Sequence, residues 1–325
     1  MNAVELTSLT KFYGKSRGIT DVSLSIAEGE FFGFIGPNGA GKSTTIHTLL
    51  GLIRPDSGSA RIFGTDTASG NRKALLSETG YLPAEAVFYP GMRVKDVIKL
   101  SADLRKADCR KTAKELCERL SLDTSKKVQE LSLGNRKKLG IVCALQSSPR
   151  LCILDEPTSG LDPFMQREFF AILKERHARG CAIFLSSHVL SEIQQFCTRA
   201  AIIREGRIIA CSSVEELSRT NAKKVHIQTD CDLAVTALKG VRNIQKIDTG
   251  ITFLYSASMH ELLCYLAAQP VRDLTITEPS LEEIFMHYYL NEEDSRQNIQ
   301  QQEPFRQDSQ KPDLLKQNTQ GGRQL

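Results

Sequence analysis

The chain has 325 residues, of which 41% are apolar, and its 22 glycines raise that share to roughly 48%, the proportion of a globular protein able to bury a core. Collagen, coiled coil and wholesale disorder are excluded. Forty-two basic residues against 38 acidic ones leave a net charge of +4, too slight to demand a nucleic-acid partner. The longest apolar run, Leu262 to Ala268, has seven residues, whereas a helix crossing a bilayer needs about 20. The N-terminus lacks the basic start and apolar stretch of a signal peptide, so a cytosolic chain is expected. Nine cysteines include no CxxC pair; they read as reduced thiols used as small hydrophobes rather than as disulfides or a zinc site.

In chain order, Val22, Leu24 and Ile26 alternate with Ser23 and Ser25, the pattern of a half-buried antiparallel strand. FFGFI at 31–35 is a short apolar strand, followed by a glycine-rich turn and a helical stretch through about Gly51. From about Met92 to Glu130, KDVIKLSADLRK and KTAKELCERL predict two charged helices, a helical insert. Apolar strands return at 151–154 and 181–185, separated by a helix from about Pro163 to Arg179. That alternation predicts a parallel sheet covered by helices. After about Thr220, four short strands and the helix HELLCYLAA predict a small α+β appendage. Residues 291–325 hold five apolar side chains against nine glutamines and six acids, a polar tail expected to be disordered because it cannot bury enough surface to offset its ordering entropy.

GPNGAGKS at 36–43 fits GxxxxGK[ST] in the context that pattern requires, after a strand and before a helix. Gly36, Gly39 and Gly41, with Pro37, Asn38 and Ala40 between them, let the backbone curl so that N–H groups at the positive end of a helix face phosphate oxygens. Lys42 supplies a point charge to the β and γ phosphates. Ser43 offers a hydroxyl to Mg²⁺, and Thr44 adds a hydrogen bond nearby. LCILDE at 151–156 is the second half of such a site: an apolar strand ends in Asp155, a metal ligand, and Glu156 is the candidate for polarising an attacking water.

With these motifs in place, residues 4 to about 219 resemble the ATP-binding subunit of an ABC transporter. LSLGN at 131–135 stands where that family has LSGGQ, SGLD at 159–162 where it has its D-loop, and LSSH at 185–188 where it has its switch histidine. The resemblance implies an α/β P-loop NTPase of ABC type, with an antiparallel β subdomain and a helical insert at about 84–150. An accessory α+β domain at 220–290 and the tail at 291–325 complete the expected organisation. It also implies ATP and Mg²⁺ as cofactors and Tyr13 as the aromatic that stacks on adenine. Ser132 and Gly134 would serve the nucleotide of a second subunit, Asp162 would line the dimer seam, and His188 would sit near the γ phosphate. The family's glutamine after GYLP is Ala84 here, with Glu85 following, and the signature carries Leu133 and Asn135. PSLEEIFMHYY at 279–289 is similar to the end of the accessory region in drug, bacteriocin and antibiotic-resistance exporters.

The function implied is hydrolysis of ATP to drive export through a separate multi-spanning permease, on the cytoplasmic face of the membrane, by a homo- or heterodimer of ATP-binding subunits. The helical insert and VFYPGM at 87–92 are the candidate docking surface, although Val87, Phe88, Tyr89 and Met92 equally suit a core. The alternative is a soluble ABC-type ATPase working on ribosomes or DNA, and a non-hydrolysing regulatory binder is a third reading. The single ATPase unit without a long heptad insert favours transport.

Overall fold

Central strands covered on both faces read as unbroken apolar runs, and this chain's do. The computed structural model describes residues 1–14, 16–68, 72–218, 222–229, 233, 235–247, 250–277 and 279. The chain divides into two compact units, Met1–Glu282 and Glu283–Leu325, and every described residue belongs to the first. The tail at 291–325 and nearly all of PSLEEIFMHYY lie outside the described residues.

The first two strands, β1 (Asn2–Tyr13) and β2 (Ser16–Ala27), pair antiparallel with Leu6 opposite Leu24 and Leu9 opposite Val22. The alternation of Val22, Leu24 and Ile26 buries all three on one face. After β3 (Phe31–Ile35) and α1 (Lys42–Leu49), β4 (Ser57–Ile62) and β5 (Thr65–Asp66) complete a four-stranded sheet in the order β2-β1-β4-β5. Next come α2 (Arg72–Glu78), β6 (Thr79–Leu82), α3 (Val94–Arg105), α4 (Arg110–Arg119) and α5 (Leu133–Leu145). The two charged helices expected between about 92 and 130 are α3 and α4.

The α/β unit closes with β7 (Leu151–Asp155), α6 (Pro163–Ala178), β8 (Ala182–Ser187), α7 (Leu190–Phe196), β9 (Arg199–Arg204), β10 (Arg207–Ser213) and α8 (Val214–Ser218). Its six-stranded sheet has the order β10-β9-β3-β8-β7-β6. It is parallel from β9 to β6, with β10 antiparallel at the edge. Every residue of β3, β7 and β8 is buried. The two sheets share one core, in which Phe34 and Phe184 meet edge to face at 5.4 Å; each such buried side chain contributes about 1.5–3 kcal/mol.

A third sheet follows, formed by β11 (Lys223–Gln228), β12 (Val241–Ile247), β13 (Gly250–Tyr255) and β14 (Asp273–Thr277) in the order β12-β13-β11-β14, with α9 (Met259–Ala267) between its last two strands. It has its own core around Val225, Ile227, Phe253, Tyr255 and Leu262. The cysteine expectation needs a correction. Cys109, Cys117, Cys152, Cys181 and Cys197 are buried as small hydrophobes, but Cys211 and Cys264 are exposed. The cause is position: Cys211 lies on the edge strand β10 and Cys264 on the outer face of α9.

Candidate functional site

The site is built where β3, β7 and β8 end side by side, because parallel strands deliver their carboxyl ends to one edge. Beyond β3, Gly36 to Gly41 loop into α1. Gly41 caps that helix with φ 109°, a left-handed backbone open to glycine at no steric cost, and a Cβ there would lie 2.8 Å from Ile19 Cγ2. The helix therefore starts at Lys42, and the N–H groups of its first turn have no partner within the helix. Pro37, Asn38 and Gly39 are exposed while Gly36 and Ala40 are buried, so the loop arches outward from a fixed base. Thr44 is half-buried beside it, its carbonyl accepting from Thr48 Oγ1 at 2.7 Å.

Lys42 is buried, and its ammonium donates to the Gly36 carbonyl at 2.6 Å and the Pro37 carbonyl at 3.1 Å. It also lies 3.0 Å from Glu156 Oε1. The other carboxylate oxygen of Glu156 is 2.6 Å from His188 Nδ1. Glu156 adopts φ 47°, a conformation that costs of order 1–3 kcal/mol in a non-glycine residue. Its N–H donates to the Ser186 carbonyl at 3.1 Å, which pins the turn at the end of β7 to the end of β8.

One residue earlier, Asp155 accepts from Ser43 Oγ at 2.6 Å on one oxygen and from Ser186 Oγ at 2.5 Å on the other. Parallel pairing sets Asp155 opposite Ser186, so the second contact follows from register. A hydroxyl beside a buried carboxylate is a hard oxygen set of the kind Mg²⁺ takes, and the residues present fit that ion. Ser187 Oγ donates to Glu192 Oε2 at 2.8 Å, and burial pushes the Glu192 carboxyl up despite hydrogen bonds from Thr158 and Ser187. Direct contacts thus join Lys42, Glu156 and His188 in one set and Ser43 with Asp155 in a second, the two sets being neighbours along the chain at 42–43 and 155–156.

The other expected residues stand in separate groups. Ser132 caps α5, its hydroxyl accepting from Asn135 N–H at 3.3 Å. Gly134 lies so close to the Gly160 carbonyl that a Cβ would approach it to 2.8 Å. Asp162, two residues on, caps α6 by accepting from Met165 N–H at 3.0 Å. Tyr13 is exposed at the end of β1. Ser186 and Ser187 escaped the sequence reading although LSSH contains both, since only a fixed strand register shows that Ser186 reaches Asp155. Lys137 escaped it as well. It is buried on α5 and donates to the Ala84 carbonyl at 2.8 Å and the Pro83 carbonyl at 3.3 Å.

A groove of about 1400 Å³ lies beside the helical insert, lined by Leu76, Val87, Phe88, Tyr89, Leu100 and Leu104 among others. Val87 and Tyr89 are 88% and 71% exposed, so these two are surface residues and not core. Among the described residues, no helix is long and apolar enough to cross a membrane.

Residues 19–159 match the ABC transporter family, and residues 126–193 also match a family described as "AAA domain, putative AbiEii toxin, Type IV TA system". The bacitracin transport ATP-binding protein of Bacillus licheniformis is 33% identical over 298 residues, 87% of this chain and 96% of its own. The linearmycin resistance ATP-binding protein of Bacillus subtilis (strain 168) is 29% identical over 87% of this chain and 97% of its own. A solved ATP-binding subunit of an ABC transporter is 30% identical, with a TM-score of 0.63 over 67% of this chain and 92% of its own. A dimeric ATP-binding cassette bound to ADP and Pi shares the fold, at 23% identity and a TM-score of 0.57, over 65% of this chain and 98% of its own. Near-complete mutual coverage, the shared fold and the joined phosphate loop and acid pair lead to one conclusion: the chain belongs to the ABC transporter family, as an ATP-binding, ATP-hydrolysing subunit.

Proposed function

We propose that this subunit powers export of a substrate through a separate multi-spanning permease, docked on the cytoplasmic face of the membrane and paired with a second ATP-binding subunit. In this reading the chain comprises an ATP-binding domain at 1–219, an accessory domain at 220–290 and a tail at 291–325. The observation that carries it is the continuous contact from Lys42 through Glu156 to His188, with Ser43 and Asp155 alongside. Export is supported by the names of similar proteins, which concern bacitracin transport, linearmycin resistance and, in Paraburkholderia xenovorans at 35% identity, Nod factor export.

Each residue has a task that its surroundings suit. The phosphate loop from Gly36 to Thr44 holds a triphosphate with backbone N–H groups, and Lys42 offsets its charge. Tyr13 stacks on adenine. Ser43 and Asp155 hold Mg²⁺, which supplies charge neutralisation on the phosphate oxygens when bound. Glu156 accepts a proton from water, and His188 orients the same carboxylate while its exposed ring reaches the γ-phosphate side. Ser132 and Gly134, at the N-terminus of α5, serve the nucleotide of the second subunit, and Asp162 lies on the seam between the two. Closure around two nucleotides completes both sites, and loss of the γ phosphate releases the halves.

The groove bordered by Val87 and Tyr89 suits an apolar cytoplasmic element of the permease. The test is Glu156→Gln in the full chain, measured for ATP hydrolysis and for ATP-promoted dimers. Loss of turnover with dimers that persist in ATP supports the reading; unchanged turnover, or no dimer in ATP, overturns it.

A further inference from the structure

Helix α5 runs from the Ser132 cap towards the core and packs on the turn that follows β6. Two of its residues, one turn apart, make that contact. Gly140 approaches so closely that a Cβ would lie 2.8 Å from Leu82 Cδ1 and 3.2 Å from Ala86 Cβ. Lys137 places its ammonium on the two carbonyls of Pro83 and Ala84, at 3.3 and 2.8 Å. The lysine is 4% exposed, and its hydrogen-bond partners are neutral carbonyls rather than a carboxylate. Removing an ammonium from water without an ion-pair partner is costly. Desolvation accordingly brings Lys137 down to about 8, although Asp155, Glu156 and Glu85 are near enough to oppose the shift.

Packing alone does not call for a lysine here, since a methionine of similar length would fill the space without the desolvation cost. The cation sits at a junction. Behind it is α5, whose N-terminus carries Ser132 and Gly134; before it is the Pro83–Ala84 turn, which leads within three residues to Val87 on the groove wall. The paired acids at the end of β7 lie within its electrostatic reach.

We propose that Lys137 is a positioning residue for hydrolysis, clamping the Pro83–Ala84 turn to α5 so that the acid pair, the signature helix and the groove wall keep one fixed relation. The proposal rests on the reading of Glu156 as the hydrolytic base. Lys137 touches neither nucleotide nor water; it acts through the backbone it holds and the positive charge it presents behind the two carboxylates.

The experiment measures steady-state ATP hydrolysis, binding of a fluorescent ATP analogue and thermal melting for the full-length native chain and for Lys137→Met, Lys137→Gln, Lys137→Arg and Glu156→Gln. Lys137→Met is expected to melt at or above the native temperature and to bind nucleotide within about twofold of native. Its kcat is expected to fall about tenfold or more. Lys137→Arg should restore at least a third of native kcat, with Lys137→Gln, which keeps N–H donors without the charge, in between. The proposal is overturned if Lys137→Met retains native kcat, if its loss lies in KM alone, or if Lys137→Arg does no better than Lys137→Met. Should Lys137→Met fail to fold, Lys137→Gln decides in its place, and failure of both assigns the residue to packing and overturns the proposal. Failure of the site reading shows itself separately, as a Glu156→Gln variant that hydrolyses at the native rate.

Discussion

Nδ1 of His188 lies 2.6 Å from Oε2 of Glu156, so the last residue of the LSSH segment fixes the carboxylate that follows β7. The opposite oxygen faces Lys42 at 3.0 Å. One carboxylate thus joins the phosphate loop to the end of β8, and the left-handed backbone of Glu156 is held in place by its N–H bond to Ser186. Contacts at both oxygens restrict the group to one orientation, which is what a proton acceptor aimed at a single water requires.

Replacing Glu156 by Gln preserves shape and removes the proposed proton acceptor. Turnover should fall about 100-fold or more, in the range ascribed to a positioned acid or base, with ATP affinity retained because Lys42 loses only its ion pair and keeps its bonds to the Gly36 and Pro37 carbonyls of the loop. His188→Ala should lower kcat by less, since Glu156 keeps its second contact. Single-turnover hydrolysis with a parallel binding titration checks both, and an active Glu156→Gln variant would remove this residue from the chemistry.

Ser186 donates to the Asp155 oxygen that Ser43 does not use. Ser186→Ala leaves that buried oxygen short of a donor and frees the carboxylate to turn. Half-maximal hydrolysis should then require about tenfold more Mg²⁺, the scale of loss found when an outer partner of a metal ligand is removed. A Mg²⁺ titration at saturating ATP reads this directly; an unchanged midpoint would show that register alone fixes Asp155.

Gly134 has no room for a side chain, since a Cβ would come within 2.8 Å of the Gly160 carbonyl. Gly134→Ala should force α5 away from the Ser159–Asp162 turn at a cost of about 1–3 kcal/mol. The loss is expected in thermal melting of the monomer as well as in ATP-promoted dimerisation. A variant that melts at the native temperature but fails to dimerise would place the whole effect in the seam.

Val87 and Tyr89 are surface residues on the groove, so charged substitutions there should change stability by no more than about 0.5 kcal/mol. The variant Val87→Asp, Tyr89→Asp is expected to keep basal ATPase within twofold while losing co-purification with the proposed permease and the transport it would carry out. Parallel loss of basal ATPase would show that the substitutions disturb the ATPase unit itself rather than a docking contact.

Thiol chemistry offers a test of burial. Desolvation raises Cys117 to about 11 and Cys143 to about 12, whereas Cys264 is exposed on α9. At pH 8, iodoacetamide should label Cys264 while Cys117 and Cys143 stay protonated and react only on unfolding. The sign of the linked effect follows. Between the ordinary thiol value of 9.0 and about 12, the unfolded chain has released a proton that folded Cys143 keeps, so its contribution to stability falls as pH rises through that window. Mass-spectrometric labelling and alkaline denaturation profiles of native and Cys143→Ala chains check the two statements.

The amino-acid order alone determined much of this protein. A glycine-rich turn between an apolar strand and a helix has few physical uses, and apolar runs ending in Asp155 and in LSSH can only be buried parallel strands whose ends meet. These signals are local, so Lys42, Ser43, Asp155 and Glu156 were legible from the residues themselves, whereas His188 was placed beside them by the resemblance to the ABC family. The strands at 57–66, 79–82 and 199–213 were not assigned: β5 and β10 are half-buried edge strands with a weak pattern, and β6 and β9, although mostly buried, carry apolar runs too short to announce a strand. Tertiary structure decided what depends on register and on distant backbone. Ser186 reaches Asp155 only because β7 and β8 pair at that step, and Val87 and Tyr89 face outward because α3 and the turn after β6 leave a groove there. Lys137 is buried on carbonyls 53 and 54 residues away in the chain. No periodicity distinguishes that lysine from its neighbours Arg136 and Lys138, since a hydrogen bond to a remote main-chain carbonyl leaves no trace in side-chain composition.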